Sequence, residues 1–131
     1  ASGFGNVRFP DRAVADELGA MLDRLQTDGE ILPKVRVHRS FNRPAKPEIP
    51  ETRALAERAR EAAECLGQQL PFAKTGGVCD GNIMQDAGLP TIDTLGVRGG
   101  GLHTPDEWIE LDSLVERSQL LAVLMMRLCQ Q

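Results

Sequence analysis

The segment FNRPAKPEIPET, residues 41–52, constrains the fold more than any other part of this 131-residue chain. It carries three prolines within seven residues, Pro44, Pro47 and Pro50. Proline lacks a backbone N–H and fixes φ, so this spacing excludes both a helix interior and a sheet interior. The chain has the length of one ordinary domain, and the proline-rich segment is the best linker or domain boundary within it.

Hydrophobic periodicity predicts helices and strands on both sides of this segment. Apolar stripes and terminal glycines predict helices over residues 11–26, 52–66, 82–87 and 112–128. Alternating or β-branched runs predict strands over residues 5–9, 35–41, 70–75 and 89–97. This alternation is typical of an α/β fold. Only two strands follow the prolines, and since two strands do not make a stable parallel sheet, we expect the sheet to be incomplete.

Composition excludes two broad classes of protein. The formal net charge of −4, with basic residues scattered along the chain, argues against a nucleic-acid-binding surface. No apolar run is long enough to span a membrane, and the N-terminal residues ASGFGNVRFPDR contain no signal-peptide segment. Three cysteines without paired spacing argue against a disulfide framework and fit a reducing compartment. We therefore predict a cytoplasmic protein that binds neither nucleic acid nor membranes.

A glycine-rich stretch precedes one of the two histidines in the chain. In GVRGGGLHTPDEWIELDSL, residues 96–114, three consecutive glycines end two positions before His103. Glycine permits positive φ and close backbone approach, which suits a flexible loop that places one side chain against a ligand. Asp106 and Glu107 are close enough in sequence to orient an imidazole by a hydrogen bond, or else they mark a turn or helix start. We predict that this loop presents His103 as a metal ligand.

A second glycine-rich turn, TGGVCDGN, covers residues 75–82. Its successive backbone N–H groups suit an anion-binding nest, and a tight strand-to-helix turn is the alternative. Cys79 is a candidate nucleophile only if a base such as His103 activates it. Arg39 and Arg43 flank the tripeptide SFN, and the planar fork of arginine suits recognition of a carboxylate.

Four motifs follow one another along the chain: FNRP, TGGxxDGN, PTIDTLG and GGGxHTPDEWIELDSL. Their order resembles the zinc-dependent aminoacylase and carboxypeptidase superfamily, which includes acetylornithine deacetylase, succinyl-diaminopimelate desuccinylase and glutamate carboxypeptidase. The resemblance implies a catalytic α/β domain with two zinc ions and an inserted α+β lid that usually dimerises. Residues 1–46 are then similar to the second half of the lid, and residues 47–131 to the C-terminal part of the catalytic domain. The chain would be a fragment of a two-domain protein about three times longer.

The resemblance implies a metal-binding role for one residue of this chain. His103 matches the C-terminal zinc ligand of the family. The other ligands and the general-base glutamate would precede Ala1, so no catalytic residue is expected within the chain itself. That glutamate would take a proton from a water molecule whose pKa zinc lowers towards ~7, for attack on an amide carbonyl. With one ligand of several, the chain alone is expected to bind zinc weakly and to be inactive.

The resemblance also implies a carboxylate-binding site. Arg39 or Arg43 would clamp the substrate carboxylate, and His38 also aligns with that position. Backbone donors to the same carboxylate would come from three residues of the second turn, Gly76, Gly77 and Val78. Valine stands there where a third glycine is common in the family, which bears on the width of the pocket. Asp80 would hold this turn in shape.

Three functions remain open on these grounds. The first is a binuclear zinc metallohydrolase that cleaves the amide bond of an N-acyl amino acid or small peptide with a free carboxylate, and that forms a homodimer through its lid. The second is a non-catalytic binding or dimerisation module, which the predicted strand–helix–strand opening favours through pairing at a strand edge. The third is a thiol hydrolase that uses Cys79.

Overall fold

The computed structural model describes residues 1–30 and 32–130, which form four α-helices and one two-stranded sheet. In chain order these are α1 (Arg12–Leu25), α2 (Pro50–Cys65), α3 (Asp80–Asp86), β1 (Gly99–Gly100), β2 (Trp108–Ile109) and α4 (Asp112–Leu128). The protein therefore has a mixed α and β structure, which confirms the α/β prediction at this coarse level. Within the described residues, no helix combines the length and the apolar character needed to cross a membrane.

All four predicted helices are present, and none of their ends differs from the predicted position by more than two residues. Local signals explain the observed ends. Asp11 caps α1, because its carboxylate accepts the backbone N–H of Val14 at 2.9 Å. Helix α2 begins at Pro50, two residues before the predicted start. Proline suits the first turn of a helix, where its missing N–H would have no partner within the helix.

The four predicted strands are not formed in the described part of the chain. Residues 5–9, 35–41, 70–75 and 89–97 belong to no β-ladder there. Their side chains favour a pleated surface, but a strand also needs a second segment that supplies N–H and C=O groups in register. The sheet lies instead in the glycine-rich stretch, where Gly99 pairs with Ile109 and Gly100 with Trp108 in antiparallel register. The prediction of a flexible, unpaired glycine loop is wrong at these positions.

The chain divides into two compact units, and each combines segments that are distant in sequence. The first unit consists of Ala1–Glu48 and Gly76–Leu89. The second consists of Ile49–Thr75 and Pro90–Gln131. The assignment of residues 1–46 to a lid and residues 47–131 to a catalytic domain stays a prediction.

In the first unit, two side-chain amides join α3 to the proline-rich segment. Asn82 donates to the carbonyl of Pro44 at 2.8 Å, and Gln85 donates to the carbonyl of Pro47 at 2.6 Å. Both amide residues are buried. A buried amide is costly unless it is hydrogen-bonded, so these contacts fix α3 against residues 44–47.

In the second unit, α2 packs against α4. Helix α2 contributes three fully buried alanines, Ala59, Ala62 and Ala63. Helix α4 contributes Leu120 and Leu124 to the same core cluster. Alanine adds little bulk, so the leucines of α4 approach the α2 backbone closely and fill the interface. This core holds α4 in place. The start of α4 in turn contacts the residues next to β1 and β2.

Candidate metal and substrate sites

His103 lies in the connection between β1 and β2, residues 101–107, at the tip of the hairpin. The residue is exposed, and its φ of +64° lies in the left-handed region that residues other than glycine adopt uncommonly. No described residue forms a hydrogen bond to its imidazole ring. Residues held in such sparsely populated backbone conformations cluster at functional sites. The hairpin therefore turns at the histidine and leaves its ring open to a ligand.

The three glycines before His103 allow the two strands of the hairpin to come close together. A Cβ atom on Gly99 would collide with the carbonyl oxygen of Trp108 on the paired strand. A Cβ atom on Gly101 would lie 2.7 Å from the carbonyl oxygen of Asp106, and the φ of Gly101 is itself +68°. Gly100 lies against the Trp108 indole, whose Nε1 would be 3.0 Å from an added Cβ. The glycines thus serve close packing and not flexibility.

Hydrogen bonds within the loop hold its main chain. The Glu107 carboxylate accepts the backbone N–H of His103 at 3.3 Å. The Thr104 hydroxyl donates to the carbonyl of Gly101 at 2.7 Å and accepts the backbone N–H of Asp106 at 3.3 Å. Glu107 therefore contacts the main chain of the histidine and Asp106 takes part through its own main chain. The predicted role of both acids in orienting the imidazole stays a prediction.

Four residues fasten the base of the hairpin to the start of α4, and we call them the hairpin clasp: Arg98, Glu110, Ser113 and Glu116. The Arg98 guanidinium donates to Glu110 at 2.6 Å and to Glu116 at 2.5 Å. The backbone N–H of Arg98 donates to the Ser113 hydroxyl at 3.0 Å, and this hydroxyl donates to the Glu110 carbonyl at 2.5 Å. The hydrogen bond from Arg98 lowers the pKa of Glu116, and the bonds to Glu116 and then Glu110 raise the pKa of Arg98.

Gly76 and Gly77 of the TGG turn, residues 75–77, belong to the first unit together with two nearby arginines. Arg43 donates to the Asp80 carboxylate at 2.7 Å, so the structure brings together two residues predicted for this site. Arg8 donates to the carbonyl of Gly76, a contact that the sequence did not predict. The two residues are 68 positions apart, and no local pattern reports such a contact. Val78 follows the turn with 49% of its surface exposed.

Arg39, the other arginine predicted to bind a carboxylate, lies against α1. Its guanidinium covers Gly19, where an added Cβ would collide with Nη1. It also donates to Asp23 at 2.7 Å and lies 5.7 Å from the centre of the Phe41 ring. A cation over an aromatic face and an ion pair on the same guanidinium both favour this packed position. The structure thus distinguishes two arginines that the sequence left equivalent.

Cys79 lies at the N-cap of α3 and takes part in a reciprocal capping arrangement. Its sulfur accepts the backbone N–H of Asn82, while its own N–H donates to the Asn82 side chain at 3.1 Å. Capping accounts for the position of this thiol without a catalytic role. Gly76 and Gly77, which precede it in the TGG turn, are exposed.

The side chains of the described residues provide one candidate metal ligand and not a complete metal centre. Among the residues that the structure describes, no group of three or more His, Cys, Asp or Glu side chains is arranged to hold a metal ion. His103 fits a ligand, because zinc binds a neutral imidazole nitrogen and this ring is exposed without a described hydrogen-bond partner. The other histidine, His38, is also exposed.

The family model described as Peptidase family M20/M25/M40 matches residues 6–127. This range includes the hairpin with His103, the TGG turn, helices α1 to α3 and all of α4 but its last residue. Neither a curated protein nor a solved structure shows significant similarity to the chain.

Proposed function

Because the chain belongs to Peptidase family M20/M25/M40, we propose that it forms part of a binuclear zinc hydrolase. The reaction is cleavage of the amide bond in an N-acyl amino acid or small peptide that carries a free carboxylate. The family match over residues 6–127 is the observation that carries this proposal. The exposed His103 and the two arginines at the TGG turn support it as separate local features.

His103 is the metal ligand that this chain contributes. The remaining ligands and the general-base glutamate come from the part of the full-length protein that precedes this chain. Zinc, when bound, supplies a Lewis acid and lowers the pKa of water at the site. The contribution of the chain is to hold one imidazole at the tip of a short hairpin, where its ring nitrogens are accessible.

The TGG turn and its arginines bind the carboxylate of the substrate. Backbone N–H groups of a glycine turn suit an anion, and an arginine adds charge and a second hydrogen bond. Arg43 forms an ion pair with Asp80, whose side chain is 85% exposed. Exposed ion pairs contribute little stability, so a substrate carboxylate competes readily for Arg43. Arg8 reaches the same turn and joins the proposed site on this geometry.

Metal analysis and selective inhibition test the proposed function against its competitors. We expect the full-length protein to hydrolyse N-acyl amino acids or small peptides with bound zinc, and to lose this activity on treatment with a chelator. An alkylating agent should leave the activity intact, because Cys79 has a capping role. Inactivation by the alkylating agent with indifference to chelators would support the thiol hydrolase instead. A stoichiometric pair of zinc ions in the isolated chain would contradict the division of ligands proposed here.

Substitution of the arginines tests the carboxylate site. We expect Arg43→Gln and Arg8→Gln each to raise KM of the full-length enzyme by about tenfold with little change in kcat, because a charge-assisted hydrogen bond to bound substrate is lost. Steady-state kinetics with one carboxylate substrate measure both constants.

Arg39→Gln is the matched control for these variants. It removes the same charge from a position that packs on α1, so it should lower the Tm and leave KM unchanged. If Arg39→Gln raised KM while the other two variants did not, the carboxylate site at the TGG turn would be wrong.

A further inference from the structure

We propose that Arg98, Ser113 and Glu116 are positioning residues, which set the direction of His103 by holding the base of its hairpin against α4. This inference rests on the proposed function, because it assigns the three residues to the same metal ligand. None of them contacts the imidazole. They act through the main chain that carries it.

The hairpin is too small to fix its own direction. Strands β1 and β2 contain two residues each. A two-stranded hairpin is marginal in water even with strands of ordinary length. The direction in which residues 101–107 extend is therefore set by contacts at the base, and the hairpin clasp supplies them.

Ser113 joins both strands of the hairpin to α4 through a single hydroxyl. It accepts the N–H of Arg98, directly before β1, and donates to the carbonyl of Glu110, directly after β2. Ser113 is fully buried. Loss of this hydroxyl would leave the Arg98 N–H without that partner beside a fully buried residue, which is costly. The Glu110 carbonyl would keep the backbone N–H of Ser113, which donates to it at 3.0 Å. The buried hydroxyl therefore ties both strand ends to α4, while the N–H of Glu110, which donates to the Arg98 carbonyl at 2.8 Å, joins the two ends to each other.

The Arg98 side chain adds a second connection between the hairpin and α4, besides the one through Ser113. Its guanidinium bridges Glu110, directly after β2, and Glu116 in α4. Each of these ion pairs is partly exposed and weak when taken alone. Together they hold one planar group between two elements, so that the hairpin does not swing freely about the Ser113 contact.

The clasp connects the hairpin to the rigid core of the second unit. Ser113 lies seven and eleven positions before Leu120 and Leu124, which places all three on one face of α4. Those two leucines pack against the buried alanines of α2. The α2–α4 core therefore fixes the position of Ser113, and Ser113 and Arg98 fix the strands on either side of His103.

Metal binding should be sensitive to this support. A ligand must be held to within about 0.5 Å of its productive position. Loss of the groups that hold a ligand in place costs 10–100-fold in metal affinity, as a rough range. We expect Ser113→Ala and Arg98→Gln each to weaken zinc binding by about tenfold.

The experiment measures zinc affinity of the full-length protein by competition with a chromogenic chelator, in parallel with the visible spectrum of the Co²⁺-substituted protein. That spectrum reports ligand geometry at the metal and is independent of activity. Ser118→Ala is the matched control, because the Ser118 hydroxyl donates to Leu114 within α4 and lies outside the clasp. The Tm of each metal-free variant shows whether it folds. Should Ser113→Ala fail to fold, Arg98→Gln decides the result, because the Arg98 side chain is partly exposed.

His103→Ala separates failure of this inference from failure of the proposed function. Weaker zinc binding and an altered Co²⁺ spectrum in the clasp variants, with both unchanged in Ser118→Ala, support the inference. Normal affinity and spectrum in Ser113→Ala and Arg98→Gln, with both lost in His103→Ala, overturn the clasp and leave the proposed function standing. Unchanged metal binding in His103→Ala overturns both.

Discussion

Replacement of His103 by alanine is expected to reduce hydrolysis by the full-length enzyme by at least about a hundredfold, because loss of a metal ligand should cost more than loss of a residue that merely supports one. The His103 ring is exposed at the tip of the hairpin and has no described hydrogen-bond partner. A loss of activity could therefore not be explained by the loss of such a contact within the chain. Zinc content per protein should fall together with activity. Both quantities are measured on the same preparation.

His38→Ala is the control for this substitution, since the chain has only two histidines and both are exposed. It should retain the full zinc content, even if substrate binding changes. Equal zinc content and equal activity in the wild type and in His103→Ala would end the assignment of His103 as a ligand.

Gly99→Ala is expected to have the second-largest effect, because the new Cβ would collide with the Trp108 carbonyl oxygen on the paired strand. The collision is with backbone, which has no rotamer to change, so β1 and β2 must separate. We expect the hairpin to be destabilised by about 1–3 kcal/mol. The activity of the full-length enzyme should then fall by at least about tenfold as His103 loses its fixed position.

The chain reports on this change by itself, because Trp108 is its single tryptophan and lies in the hairpin. Separation of the strands should shift the fluorescence maximum towards that of free tryptophan. Gly96→Ala is the matched control, since no atom lies within 4 Å of an added Cβ there. Identical fluorescence in Gly99→Ala and Gly96→Ala would show that the hairpin tolerates a side chain at 99, against this structure.

The helices were predictable because their signals are local. Asp11 marks a helix start through chemistry that involves only its own neighbours. Pro50, which we assigned to the linker, begins α2 by an equally local rule. The strand predictions failed because a β-ladder needs a second segment to pair with, and the periodicity of one segment does not show which segment that is. The glycine triplet shows the same limit, since Gly99 and Gly100 read as a flexible loop until Trp108 and Ile109 are known to lie opposite them.

The candidate site was predictable in its residue types and not in its contacts. The motif around His103 indicated a presented ligand, and Asp80 and Arg43 proved to be neighbours. Arg39 and Arg43 could not be separated by sequence, because Gly19 is what accommodates the guanidinium of the former. The clasp was not foreseen either, because a buried serine in the first turn of a helix resembles any other serine there.

The amides of α3 have a consequence for how freely this chain can vary over evolution. Asn82 and Gln85 bind the main-chain carbonyls at positions 44 and 47, and every amino acid carries such a carbonyl. As far as these bonds are concerned, natural substitutions in the proline-rich segment cost nothing, whereas positions 82 and 85 must keep an amide. The sequence of the proline-rich segment can therefore change while the contacts that hold α3 against it are kept.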